Sequence, residues 1–379
     1  MIVTLSTEKL KDILELVVRF VAKHSTLPIL ENVYIKADID QLIFKATDME
    51  KYIDLTLPAQ IDAEWSITVN AKMFLDILRS IDEEEVKLII DEEKQIMNIK
   101  TSSDDFKIKW IAASEYVALP SVDSEVTYKI NVKDFIKWVE KVYMAVTEKA
   151  FSPVLTWVLV RLKSEEKKLV FVWTDSFRLA EYKIDYNWDL QEDIDVIIPK
   201  VNIQDIVKVF DFVQDNEGEE VEMKVAENLV SFSAKINDIQ ITVASLLIQW
   251  EFPNYENENI IPTQYNIKVV VDKNILEKAI KKVVILTQSE NYFVEMKIED
   301  WKIIVGSWMT DLWESLTQIP ASVEWDTISL GINGKYILDF IKSIDWENLS
   351  INIVSEEKPV VFKDLDDLNY TYVVRPLVK

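Results

Sequence analysis

Leu169-Val170-Phe171-Val172-Trp173-Thr174-Asp175-Ser176-Phe177-Arg178-Leu179-Ala180-Glu181 is an apolar run that stops at Thr174-Asp175 and resumes three residues later. The same punctuation closes Leu42-Ile43-Phe44-Lys45-Ala46-Thr47-Asp48 and the run from Ile303 to Thr310-Asp311. Each copy follows another β-rich run across a short charged turn: Val33-Tyr34-Ile35, Val158-Leu159-Val160 and Phe293-Val294-Glu295-Met296. The threonines lie 127 and 136 residues apart, so the chain reads as one domain written three times. A triplicated unit points to an assembly more than to a single catalytic pocket. Thr and Asp at strand ends satisfy local backbone donors, which makes them turn-forming residues before catalytic ones.

Around each copy the elements recur in one order. An amphipathic helix opens the third: Thr7 to Lys23, Lys133 to Lys149, Lys273 to Leu286. In the first, Leu10, Ile13, Leu14, Val17, Val18 and Val21 repeat at the helical period. After the Thr-Asp hairpin comes a second helix: Ala71 to Leu78, Ile203 to Phe212, Lys335 to Ile341. Alternating strands such as Val86 to Ile90, Ile96 to Lys100 and Phe106 to Ile111 follow. Helices on one face of antiparallel sheets define an α+β architecture. Proline breaks at Leu119-Pro120 and Phe252-Pro253 set three domains, 1–119, 120–252 and 253–379.

Composition narrows the classes. With 379 residues and 49% hydrophobic content the chain is globular, with room for a core in each third. It has no cysteine, so disulfides, thiolate metal sites and a Cys nucleophile are excluded. No run approaches the ~18 apolar residues of a membrane span. The N-terminus lacks a basic segment leading into an apolar one. A cytoplasmic protein without membrane partners is expected.

The chain has 12 Trp and 4 Gly. Average usage would give roughly 27 Gly. Several tryptophans stand where glycine belongs. Trp301 occupies the hairpin turn Glu299-Asp300-Trp301-Lys302, and Trp65, Trp325 and Trp346 sit beside acidic residues just before β runs. These positions are expected to be UGA codons read as glycine in the source organism. The other reading is a Trp-rich surface, and UGG codons at these positions would establish it.

The formal net charge is -24, which by itself disfavours a nucleic-acid partner. Its distribution is uneven. The helical windows 8–24, 71–80, 133–149, 200–211, 272–282 and 335–342 hold 18 Lys or Arg and 12 Asp or Glu, net +6, leaving -30 for the rest. Six basic helices on one surface would track phosphates without reading sequence. Lysine is also a good helix former on a solvated face, and charge alone does not separate the two.

Catalytic material is scarce. His24 is the one histidine, and Gly218, Gly306, Gly331 and Gly334 form neither a dinucleotide fingerprint nor a P-loop. Glu83-Glu84-Glu85 and Asp364, Asp366, Asp367 read as solvated loops before metal ligands. No cofactor, metal or enzymatic activity is expected.

Six motifs then converge: Thr26-Leu27-Pro28-Ile29-Leu30-Glu31-Asn32, Thr47-Asp48-Met49-Glu50, Pro153-Val154-Leu155-Thr156-Trp157, Thr174 to Ala180, Phe252-Pro253-Asn254-Tyr255, and Tyr372-Val373-Val374-Arg375-Pro376-Leu377. Together, in this order, they resemble the bacterial DNA polymerase III beta subunit (beta sliding clamp) family along the whole chain. Glycine is usual in that family at Trp110, Trp157 and Trp250, which favours recoding. The resemblance implies a head-to-tail homodimeric ring whose helices face duplex DNA. It implies as partners a clamp loader, the replicative polymerase and other clients bearing a short motif. The implied DNA-facing residues are Lys9, Lys23, His24, Lys72, Arg79, Lys133, Lys137, Lys141, Lys200, Lys208, Lys278, Lys281 and Lys342. The implied client pocket, between the second and third domains, comprises Leu155, Thr174, Arg178, Leu179, Pro253, Val360, Val373, Val374, Pro376 and Leu377. Ser176-Phe177 departs from the usual Gly-His. The implied dimer seam pairs Phe74, Ile77 and Phe106 with the partner's third domain at Ile285 and Leu286.

The expected function is therefore processivity: a ring that tethers a polymerase to DNA. A small-molecule-binding α+β scaffold and an acid-cluster hydrolase are the alternatives. Loss of client binding in Leu155→Ala or Pro376→Ala is the expected signature of the pocket.

Overall fold

The computed structural model describes all residues except 121, 123–125, 144–156, 289–290, 308–314, 325–326, 346 and 378–379. Thr310-Asp311 and Leu155 therefore lie outside the described residues. Six α-helices are described: α1 Thr7–Val17, α2 Ala71–Arg79, α3 Val132–Tyr143, α4 Lys200–Asp215, α5 Lys273–Leu286 and α6 Gly334–Ser343.

Each helix begins where a strand ends. The last strand residue caps it through a side-chain oxygen: Ser6 accepts the Lys9 N–H, Asn70 that of Met73, Asn131 that of Asp134. Asp272 accepts from Asn274 and Ile275, and Asn333 from Lys335 and Tyr336. Only α4 starts from an uncapping residue, Pro199. Each such cap contributes about 1 kcal/mol. This repeated strand–cap–helix step is the local rule behind the triplication seen in sequence.

The first helix is shorter than its periodicity suggests. It stops at Val17, passes through a 3-10 turn Val18–Phe20, and leaves Lys23 and His24 exposed in the following loop. Phe20 is fully buried and Val21 is extended, so the chain turns here to bury both. The β-branched pair Val17-Val18 also weakens continuation of the helix.

Among the described residues the strands form four sheets, with antiparallel neighbours such as Ile239–Leu246 and Lys51–Pro58. The first runs in order Ile2–Ser6, Glu85–Asp91, Ile96–Lys100, Asp105–Lys109. The second has nine strands; at its middle Ile239–Leu246 joins Lys51–Pro58. The third also has nine, joined where Arg178–Asp185 meets Tyr370–Val374. The fourth has four, in order Ser315–Pro320, Lys302–Ser307, Phe293–Glu299, Ile328–Asn333.

The chain divides into two compact units, residues 1–136 with 198–249 and residues 137–197 with 250–379. In the first, Phe135, Phe210 and Phe232 form an aromatic core with centroids 4.9–5.5 Å apart. In the second, Phe340 lies 5.2 Å from Tyr372, 5.5 Å from Tyr370 and 5.7 Å from Phe362. α1 lies on α2 in the first unit and α5 on α6 in the second.

One tryptophan shows backbone strain where glycine would show none. Trp301 has φ 65° and is 75% exposed, so its indole recovers no packing for the left-handed backbone. The indole N–H groups of Trp65 and Trp110 are buried without a hydrogen-bond partner. Positive φ alone does not single out tryptophan, since Ile39, Gln95 and Lys167 share it at other turns. The exposed, strained turn gives a direct test. Trp301→Gly is expected to raise unfolding stability by about 1 kcal/mol in denaturant titration. An unchanged or lower midpoint would remove the structural case for glycine there.

Candidate functional site

Two Thr-Asp loops are described, and they are built alike. In the second unit the Thr174 hydroxyl donates to the Arg178 carbonyl at 2.8 Å, and accepts the Ser176 N–H at 3.2 Å. Asp175 Oδ1 accepts the N–H groups of Phe177 and Arg178, both at 2.9 Å. In the first unit Thr47 donates to the Lys51 carbonyl at 2.8 Å, and Asp48 accepts from Glu50 and Lys51 at 3.0 Å. The turn requires a left-handed residue, Ser176 at φ 73° and Met49 at φ 79°. The aspartates are thus bound by their own loop and have no catalytic geometry.

Behind each loop a cation is held from below. Arg178 is buried, with Nη1 2.6 Å from Asp339 on α6, Nε 3.1 Å from Asp175, and the Tyr336 ring 4.2 Å away. Tyr372 lies on Nη1 at 3.2 Å. Burial raises the Asp175 carboxyl above its usual range even though Arg178 opposes this. The Arg178 guanidinium is itself held more firmly charged, as Tyr372, Asp339 and Asp175 outweigh its desolvation. Lys51 plays the matching part in the first unit, bonding Asp205 on α4.

Above Arg178 opens a cleft of about 550 Å³ in the second unit. Leu179, Val373, Pro253 and Tyr255 supply its apolar surface. Phe177, 49% exposed, stands with Arg375 at its mouth, where the Arg375 N–H donates to the Phe177 carbonyl at 2.8 Å. Ser355, Lys358 and Pro359 close the other side, with Lys358 Nζ 2.9 Å from the Asn259 side-chain oxygen. The Tyr255 hydroxyl is pushed far up by burial beside Glu181 and Glu256, so it stays neutral. A mostly apolar groove with a few fixed polar groups suits an extended peptide.

The structure gathers five of the sequence-expected pocket residues on this cleft: Thr174, Arg178, Leu179, Pro253 and Val373. Four others need correction. Val360 and Val374 are fully buried in the sheet, so they support the cleft without lining it. Pro376 is buried and Leu377 half-buried, with the Leu377 N–H tied to the Gly331 carbonyl at 2.8 Å. A Cβ at Gly331 would come within 2.9 Å of the Leu377 carbonyl, so glycine permits this approach. Arg178 lines the cleft with its guanidinium already bonded to Asp175, Asp339 and Tyr372. Sequence reasoning missed Phe177, Arg375, Tyr255 and the stretch around Lys358-Pro359; adjacency to Arg178 and Pro253 was the available signal for the first and third.

The basic residues divide similarly. In the first unit Lys9, Lys72, Arg79, Lys133 and Lys208 are exposed, with Arg79 bonded to Glu15 and Lys208 to Asp211, while Lys200 is half-buried. In the second, Lys137, Lys278, Lys281 and Lys342 are exposed. Lys141 is not available to a ligand. It is buried, 3.5 Å from Asp367 and 5.0 Å from the Tyr370 ring, and donates to the Ser343 carbonyl. The helical phase of α3 points it inward, where Asp367 offsets the cost of burying the charge.

Of the seam residues, Phe74 lies on the buried face of α2 and presents no surface to a partner chain. Ile77 and Phe106 are half-buried, Leu286 likewise, and Ile285 is 69% exposed. Among the described residues no cluster of acidic or imidazole side chains could hold a metal, and no helix is long and apolar enough to cross a membrane.

The fold and its cleft define a class: tandem α+β repeats that share sheets across their joints. Family models for the N-terminal, central and C-terminal domains of the DNA polymerase III beta subunit match residues 1–120, 129–254 and 258–378. The chain belongs to the DNA polymerase III beta subunit family. It is 25% identical over 370 residues to the beta sliding clamp of Staphylococcus aureus, covering 94% of each chain. In structure it resembles the beta subunit of Thermotoga maritima, TM-score 0.88 at 24% identity over 100% of this chain and 99% of that one. The sliding clamp of Bacillus subtilis aligns over the same shares at TM-score 0.90 and 20% identity.

Proposed function

We propose that this protein is a non-catalytic sliding clamp: two copies close head to tail into a ring around duplex DNA, and the ring tethers a replicative polymerase. The sheet inventory carries this reading. Inside the chain, two nine-stranded sheets arise where an edge like Ile239–Leu246 or Tyr370–Val374 joins an edge like Lys51–Pro58 or Arg178–Asp185. Two four-stranded halves are left over. By position in the repeat, Asp105–Lys109 corresponds to the first kind of edge and Ser315–Pro320 to the second. A copy of the chain supplies the missing mate to each of these two edges, and two such seams close a ring. Phe106 on one strand, and Ile285 and Leu286 on α5, fit such a seam.

Sequence-independent contact then falls to exposed lysines such as Lys9, Lys72, Lys133, Lys278 and Lys342, while the acidic remainder repels DNA from the outside. A ring needs a loader to open it, and the reading places the protein in the cytoplasm with the polymerase. The cleft over Arg178 is the docking site for a short apolar motif carried by polymerase and other clients. Topology gives the decisive experiment. Protein loaded on nicked circular DNA is expected to leave almost completely once the circle is linearised, and to stay when the ends are blocked. Retention on open linear DNA would refute encirclement.

A further inference from the structure

The repeat places a second cleft at the joint of the second sheet, in the first unit. The sheet registers make the correspondence residue by residue. Lys51 pairs with Ser245 and Tyr52 with Ala244, as Arg178 pairs with Val374 and Leu179 with Val373. The Leu246 N–H donates to the Glu50 carbonyl at 2.8 Å, as the Arg375 N–H does to Phe177. Both clefts rest on the same Thr-Asp loop and the same braced cation. Their volumes differ: about 110 Å³ here against about 550 Å³.

What fills the first cleft is the chain itself. Val117-Ala118-Leu119-Pro120 lines it, and Leu119 packs with Val122 onto the buried cluster Tyr52, Leu229 and Ala244. Tyr52 and Ala244 are the register counterparts of Leu179 and Val373, which in the other cleft face open space. Among the described residues, no backbone hydrogen bond is made by the N–H of Val117, Ala118 or Leu119 outside helices and strands. Side-chain packing at Leu119 ties the segment to the cleft, as a docked peptide's apolar anchor does.

We propose that the first joint is a latent peptide cleft, kept shut by the chain's own segment Val117–Pro120 with Leu119 as its anchor. Displaced, it would accept a short apolar peptide. Its mouth bears Glu50 where the open cleft has Phe177, and Leu246 where that one has Arg375, so it selects peptides with a basic flank rather than an acidic one. The comparison of clefts rests on the client-site reading above, but the test does not.

The probe is a capped synthetic peptide of residues 116–120, Tyr-Val-Ala-Leu-Pro, extended by one lysine. The host is Leu119→Gly in a Leu179→Asp background, so that the open cleft is closed to apolar peptides. Calorimetry is expected to show binding at least about ten-fold tighter than to Leu179→Asp alone, a difference of about 1.4 kcal/mol. Equal or absent binding in a host with an unchanged thermal melt overturns the proposal. Should Leu119→Gly melt early, Leu119→Ala serves in its place with the same two outcomes. Failure of the client-site reading would appear separately, as an unmodified chain that takes no client peptide.

Discussion

Arg178→Ala is expected to cost about 3 kcal/mol of unfolding stability, because it leaves the buried Asp175 and the half-buried Asp339 without their shared cation. Asp175 is 5% exposed and Asp339 is bonded to the guanidinium at 2.6 Å. Arg178→Lys should recover only part of the loss. An ammonium is a point charge and cannot fork between Asp175, Asp339 and Tyr372. Lys51 with Asp205 shows that an ammonium suffices in the sister loop, where its carboxylate partners are Asp205, at hydrogen-bonding distance, and Asp48, at 3.7 Å.

The loss should depend on pH with a definite sign. The Asp175 carboxyl lies above its ordinary range in the folded chain, burial being the largest cause. The folded state therefore holds that proton more tightly than the unfolded state. The associated stability is present at low pH and lost as pH rises through the folded value. Removing Arg178 raises that value further, so the variant should regain stability in mild acid relative to neutral pH. Equal deficits at both would show that lost packing, not an uncompensated charge, is the cause.

Leu179→Asp is expected to weaken client-peptide binding about 100-fold or more, near 2.7 kcal/mol. Leu179 is 3% exposed at the cleft floor beside Val373, and the buried guanidinium next to it, Arg178, is already engaged by Asp175 and Asp339. Desolvating the new carboxylate under an apolar peptide opposes binding directly. Leu179 lies on an interior strand, paired on both sides by Lys168–Thr174 and Tyr370–Val374, so the oligomeric state measured by light scattering should not change. Peptide affinity within about three-fold of the parent's, under 0.7 kcal/mol, would rule the cleft out as the client site.

Much of the architecture was legible because it is local. Polar caps at strand ends, helical periods in α1, α2, α5 and α6, and the Thr-Asp turns all depend on residues within a few positions of one another. α5 spans Lys273–Leu286, where periodicity predicts it. The early end of α1 was not legible, since it depends on where Phe20 finds its core. The basic helices were legible as a charge count only. Lys141 and Lys137 sit one turn apart on α3, yet one is buried on Asp367 and the other exposed. Phe74 and Val374 read as apolar surface candidates and prove to be core. Apolar composition does not distinguish an interface from an interior until neighbours are known.

By itself, the sequence determined the repeat, the α+β class, the absence of cysteine chemistry and the residues that make each Thr-Asp loop. Those properties follow from spacing and from bonds a segment makes with itself. Only the tertiary structure decided what the loops do. It set Arg178 inward against Asp339, left Leu179 and Val373 facing an open cleft, and filled the equivalent space at Tyr52 and Ala244 with Leu119. The reason is physical: burial and cleft shape come from strands and helices more than a hundred residues apart, and no local pattern encodes which of two like joints is left empty.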